Sequence, residues 1–374
     1  MFIKYLPFLV PTLFFACNTP TESQSNQHPT TEQTPAHGSN TGIAATINYD
    51  QETHLKNVKQ LTFGGDNAEA YFSFDNKNLV FQATNPGWNV PCDQIFYMPV
   101  KGFKGDQPPL LSTGKGRTTC SYFMPDGKSI IYASTHLASE DCPEAPRVVN
   151  GKYVWGIFPD FDIFQADLEG NILKQLTDSP GYDAEATISP DGKKIVFTSM
   201  RSGDLELYVM DIDGKNITQV THELGYDGGA FFSPDNKKLV FRASRPKTEE
   251  AKKTYIELLS QGLVQPTDME LFTCNIDGSD LKQVTSLGGA NWGPYFHPSG
   301  KRILFCSNHH SEGGRQFNIF SVKTDGTDVQ QITFDSVFDA FPMFSHDGKK
   351  LVFSSNRNNG GTRDTNVFIA DWVE

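Results

Sequence analysis

The sequence predicts an all-β fold: a six-bladed β-propeller of four-stranded antiparallel blades, closed by an N-terminal strand that completes the last blade. Three observations carry this expectation. One template recurs six times: an apolar strand, a Ser-Pro-Asp-Gly type turn, and an apolar strand ending in Phe or Tyr plus small residues. The residues that end each unit, Thr62, Ser112, Thr177, Thr221, Thr285 and Thr333, lie 50, 65, 44, 64 and 48 positions apart. That is a unit of about 44 residues carrying two insertions of about 20, the period of a propeller blade. Finally, 29 Phe and 12 Tyr against four Trp favour strands over helical bundles.

Composition narrows the class. Glycine (32) and proline (22) among 374 residues are near ordinary usage, which excludes collagen-like and wholly disordered chains. The net charge of −12 leaves no basic face for a nucleic acid partner.

Residues 1–16 read as a signal peptide. One charge, Lys4, precedes an apolar run from Tyr5 to Ala16, too short to span a bilayer but suited to a signal core. Phe14-Phe15-Ala16-Cys17 has the form of a bacterial lipobox, so Cys17 is the expected lipidation site and a lipid anchor the expected tie to a membrane. Residues 17–54, rich in Thr, Ser, Gln, Asn and Pro, read as the acylated Cys and a flexible polar tether.

Residues 55–374 are expected to form the propeller. The turns are Phe74-Asp75-Asn76, Pro125-Asp126-Gly127, Pro190-Asp191-Gly192, Pro234-Asp235-Asn236, Pro298-Ser299-Gly300 and His346-Asp347-Gly348, residues that tolerate hairpin geometry. Asn57–Thr62 stands alone as a fourth strand, and the chain ends after a third strand, so the two can pair and remove both open edges. The insertions, near 137–160 and 246–267, both fall between second and third strands and should overhang one mouth of the channel, where binding loops sit. The first is aromatic (Tyr153, Trp155, Phe158, Phe161); the second shows helical spacing over 247–263.

The Gln-Leu-Thr, Ser-Pro-Asp-Gly and Asp-x-Asp-Gly signatures, cleanest in 175–212 and 219–244, resemble the propeller repeats of TolB and its relatives, a WD-like repeat family of bacterial envelope lipoproteins. The resemblance covers roughly 55–374. It implies the propeller fold and an envelope location. It does not imply one activity, because the repeat occurs in binding proteins, peptidase propellers and lyases.

Aligning the inner strands gives two polar rings. Asn67, Thr118, Asp183, Asp227, Asn291 and Asp339 face Asn85, His136, Arg201, Arg245, His309 and Arg357 across the hairpins. Asp occurs where Arg occurs, so Asp183–Arg201, Asp227–Arg245 and Asp339–Arg357 are expected as structural pairs. The unstapled His136, Asn291 and His309 are then left as ligand-binding candidates. Two residues further along come Glu69, Cys120, Glu185, Gly229, Gly293 and Phe341. Glu69 and Glu185 have no evident Arg partner, so they should face channel water, a cation or a ligand. Trp292 and Trp155 could supply stacking faces. Whether a metal binds among these groups is left open by the spacing.

Catalytic signatures are missing. There is no Gly-x-Ser-x-Gly elbow, and His222-Glu223-Leu224-Gly225-Tyr226 lacks the second His of a zinc protease helix. No cofactor is expected. Cys92 and Cys142 lie in equivalent loops of neighbouring blades and are expected to form a disulfide, with Cys120 as the rival partner; Cys274 and Cys306 read as buried apolar residues. Two function classes stay open. One is a monomeric binding or scaffolding module for an envelope protein, peptide or glycan; the other is a hydrolase or lyase using the channel carboxylates with His136 or His309.

Overall fold

The structure, a computed structural model, describes residues 47–374 apart from Ala145. The expected signal peptide, the expected lipidation site Cys17 and most of the expected tether lie outside the described residues. Six blades stand in a ring, their inner strands being Asp66–Phe72, Thr118–Phe123, Asp183–Ile188, Asp227–Phe232, Asn291–Phe296 and Asp339–Phe344. The ring closes as expected: Leu55–Gln60 pairs antiparallel with Asn366–Trp372 on the outside of the last blade. In the first blade the fourth strand shrinks to one bridge, Phe96 to Leu110. Among the described residues no helix is long and apolar enough to cross a membrane.

The repeat signatures have local physical reasons. The Thr or Ser that ends each unit accepts a hydrogen bond from a third-strand N–H: Val367 to Thr62, Ile95 to Ser112, Ile163 to Thr177, Leu207 to Thr221, Leu271 to Thr285 and Ile319 to Thr333, all at 2.8–2.9 Å. The hydroxyl thereby satisfies a buried donor where the short fourth strand has run out. In four units the preceding Gln donates to the carbonyl of that same Thr, as Gln219 does to Thr221. In the turns, Ser73, Ser189, Ser233 and Ser345 each donate to the Asp two residues on. Each blade also carries one aromatic pair directly across its second and third strands, such as Phe81–Phe96 and Phe353–Phe368, with centroids 5.9 and 5.8 Å apart. Such pairs contribute about 0.5–1.5 kcal/mol each beyond their burial.

The boundary expected at residue 54 moves. Residues 47–54 pack on the last blade: Ile47 N–H donates to Val58 O at 3.3 Å and Tyr49 Oη to Asp335 at 2.6 Å. Glu52 is buried against Arg357. The polar composition of this stretch hid a segment held by ionic and hydrogen-bonding groups, with Ile47 packed against the apolar cluster around Leu55 and Val58.

Candidate functional site

Every inner strand carries the same irregularity. The pairing register shifts at 68/71, 119/122, 184/187, 228/231, 292/295 and 340/343. The residue inside each shift, Glu69, Cys120, Glu185, Gly229, Gly293 or Phe341, has a φ of 47–58°. A bulge of this kind twists the strand and re-aims one side chain. The left-handed conformation costs a non-glycine residue about 1–2 kcal/mol, and Glu69, Cys120, Glu185 and Phe341 adopt it nonetheless. At Gly229 a Cβ would collide with the Arg242 guanidinium, so a side chain there would have to displace Arg242.

Four of the bulge residues, Glu69, Cys120, Glu185 and Phe341, line the floor of a cavity of about 450 Å³ at the channel mouth. The first insertion covers part of it as a roof and is backed by the second through an antiparallel pair between Trp155–Gly156 and Leu263–Val264. The second insertion holds the helix Glu249–Leu259, N-capped by Thr248. Tyr255 on that helix donates to Asp204, tying the roof to the third blade. Cys92 and Cys142 are disulfide-bonded with Cα atoms 6.1 Å apart, which ties the first insertion to the first blade. Cys120, Cys274 and Cys306 are free thiols. Trp155 and Trp292 meet at 5.1 Å between ring centroids and wall the cavity with Phe338 and Phe341.

Glu185 is not left unpaired. Arg242, on the second strand of the fourth blade, forms an ion pair with it. Tyr226 Oη donates to the same carboxylate at 2.6 Å, Thr198 Oγ1 at 2.8 Å and Gly229 N at 3.0 Å. The guanidinium lies over Trp155 and Tyr226 at 5.2 and 5.4 Å from the ring centroids. Sequence alignment of the inner strands missed Arg242 because it stands on the neighbouring strand. The available signal was an Arg in Lys238–Ala243 where the other blades have Gln82, Ala133, Thr198, Cys306 and Ser354.

Glu69 differs. Its carboxylate accepts from the Cys120 thiol at 3.1 Å and from Tyr71 Oη at 3.4 Å, both neutral donors. Burial pushes its carboxyl above the ordinary range; the Cys120 bond and Arg242 pull the other way, while Glu185 and Asp93 add to the rise. Burial, then the charges of Glu69 and Glu185, push the Cys120 thiol well up. It stays a neutral donor rather than a nucleophile.

Of the ligand-binding candidates, Glu69, Cys120, Trp155, Glu185 and Trp292 line the cavity. His136, Asn291 and His309 do not. His136 bonds Ser134 and packs on Phe164 at 4.5 Å, and His309 bonds Ser307 and packs on Phe320 at 4.6 Å. Their column folds back onto the aromatic pair of its own blade. The arginines of the same column do likewise: Arg201 lies over Phe197, Arg245 over Phe272 and Arg357 over Phe353. Asn291 is buried, donating to Met269 O at 2.8 Å and accepting from Ser307 at 2.7 Å. The three Asp–Arg pairs sit in this outer ring, with contacts of 2.8 Å at Asp183–Arg201, 2.5 Å at Asp227–Arg245 and 2.9 Å at Asp339–Arg357. Among the described residues no three His, Cys, Asp or Glu side chains converge to hold a metal ion.

Residues 158–255 match the model of the TolB beta propeller domain. A protein described as TolB from Agrobacterium tumefaciens is 20% identical, with a TM-score of 0.54 over 83% of this chain and 91% of that one. TolB from Acinetobacter baumannii is 19% identical, with a TM-score of 0.51 over 82% of this chain and 63% of that one. A gluconolactonase from Xanthomonas campestris is 11% identical, with a TM-score of 0.55 over 89% and 96%. At such identities the likeness speaks for the fold. Residues 158–255 therefore carry the TolB propeller repeat, and the described residues form a six-bladed β-propeller throughout.

Proposed function

We propose that the protein is a ligand-binding propeller, lipid-anchored to the cell envelope through Cys17, that receives a small ligand or the end of a peptide or glycan chain in the roofed cavity. The observation that carries this reading is the cavity itself: about 450 Å³, partly covered by the first insertion and walled by Trp155 and Trp292. That volume falls in the range of about 300–1,000 Å³ typical of small-molecule sites. It is too small and too concave for a flat protein surface. Binding is favoured over catalysis because Glu185 is held by Arg242 and Tyr226 together, and the histidines that an enzyme reading needs pack back onto their own blades.

The test is a titration of the purified protein with amino acids, dipeptides, and mono- and disaccharides, followed by tryptophan fluorescence. A saturable change that disappears in Trp155→Ala, with the fold retained by circular dichroism, supports the reading. The absence of a response to every compound, or a response unaffected by Trp155→Ala, overturns it.

A further inference from the structure

The enclosed floor of the cavity carries an imbalance. Below the main cavity lies a chamber of about 20 Å³, and the charged residues around it are Glu69, Glu185 and Arg242: two carboxylates against one guanidinium. Arg242 is committed to Glu185, at 7% exposure. Glu69 therefore stands without a cationic partner, with only a thiol and a phenol donating to it. A net charge enclosed in this way is costly unless a proton or a cation offsets it. The wall above is aromatic, with the indoles of Trp155 and Trp292, and faces of this type attract cations. Trp155 already holds one cation, the Arg242 guanidinium. A hard metal ion would need converging oxygen, nitrogen or sulfur ligands, and none converge among the described residues.

We infer that the cavity selects ligands bearing an amine, the ammonium pairing with the Glu69 carboxylate beneath the Trp155–Trp292 wall. This rests on the ligand-binding reading above and names the chemistry of the group that enters first. The class includes amino sugars, lysine-like side chains and free amino termini. Without ligand, the proton on Glu69 offsets the surplus charge; the ammonium replaces it, so binding releases a proton. Affinity then rises with pH until Glu69 is ionised in the free protein and flattens above that point. The groups facing Glu69 are Tyr71 on its own strand, Asp93 on the third strand of its blade, Cys120, Glu185 and Arg242. Asp66, Arg117 and Arg147 line the same cavity, whose carboxylates still outnumber its guanidinium groups by four to three. Tyr71, Cys120 and Arg242 keep one protonation state through the interval, Asp93 is paired with Arg117, and Glu185 is held by its four donors.

The experiment compares matched pairs on the intact protein: glucosamine against glucose, and n-butylammonium against n-butanol, read by tryptophan fluorescence. The amine of each pair is expected to bind at least about tenfold more tightly, with the n-butylammonium affinity rising with pH across the interval in which Glu69 ionises. Glu69→Gln, which keeps size and backbone, should erase both the preference and the pH dependence. Equal binding of amine and neutral partner overturns the inference while leaving a ligand-binding cavity. Binding of neither member of either pair also overturns it, and the broader titration above then decides separately whether the cavity binds anything. Because the matched pairs are run on the unaltered chain, the result stands even if Glu69→Gln fails to fold.

Discussion

The outer and inner rings of this propeller use the same residue types to opposite ends. In the outer ring each Arg closes on the Asp of its own blade, and in the last blade Arg357 is gripped by both Asp339 and Glu52, all with fully buried side chains. In the inner ring the guanidinium of Arg242 reaches from the fourth blade to Glu185 in the third and leaves Glu69 over. A planar guanidinium matched to carboxylates in a dry site is a clamp. The same chemistry with one carboxylate in excess, beside a cavity, is a place for something else to bind. Residue type alone does not separate the two; the partner count and the open volume do.

Breaking the tightest clamp should have the largest effect. Arg357→Met leaves Glu52 and Asp339 buried without a counter-charge and is expected to cost about 3–5 kcal/mol, seen as a lower urea midpoint. The matching change in the third blade, Arg201→Met, should cost less, because Arg201 is 18% exposed and its Asp can rehydrate. Equal losses would mean that Glu52 contributes nothing to ring closure.

Next comes the covalent tie of the roof. Replacing Cys92 and Cys142 by Ser opens a link spanning 50 residues, and on the chain-entropy account should cost roughly 4 kcal/mol. Thermal unfolding under non-reducing conditions checks it. A ligand response that survives the double variant unchanged would show that the disulfide supports the fold rather than the shape of the cavity.

A third prediction concerns a clamp that is over-supplied with acid. Glu206 is buried near Asp227 and Asp204, and one of its oxygens has no partner. Burial, with added repulsion from those two carboxylates, pushes its carboxyl up to about 8, against the pull of the Thr221 hydroxyl. The folded state therefore holds a proton that the unfolded chain gives up at the ordinary value of 4.5. The stability from that proton is fully present below the unfolded value and is lost as pH rises through about 8. Glu206→Gln should unfold at a higher temperature than the parent protein above pH 8, with the gap closing toward pH 4.5. A gap that does not change with pH would refute the protonated carboxyl.

The smallest effect is expected at His309. Since the ring packs on Phe320 outside the cavity, His309→Ala should cost about 1 kcal/mol and leave the fluorescence response to ligands as it was. A lost response would return the histidines to the site.

The Asp–Arg pairing by blade was legible because both columns repeat at a fixed offset from a turn, and a hairpin makes that offset a distance. Glu69, Cys120 and Glu185 were legible as inward residues for the same reason, Trp292 from its place at the start of an inner strand, and Trp155 from the aromatic insertion expected over the mouth. The direction of the histidine column was not, since the register alone does not say whether a side chain past the end of a strand turns toward the channel or back onto Phe164 or Phe320. Arg242 was visible only as an oddity within an apolar strand.

The sequence by itself determined the parts whose causes are local. The blade period, the Ser–Asp turns and the Thr hydroxyls that end each unit rest on neighbours along the chain or across one hairpin. The closing strand was legible because a lone fourth strand at one end matches a unit lacking its fourth strand at the other. Only the tertiary structure decided what meets across the ring. Glu52 reaches Arg357 from 305 positions away, Arg242 reaches Glu185 from 57 positions away in another blade, and the two insertions join over one mouth. Such contacts have no period or spacing to betray them, because closing a ring brings together residues whose separation along the chain carries no geometric information. The bulge at φ 47–58° in every inner strand then sets which of them face the cavity.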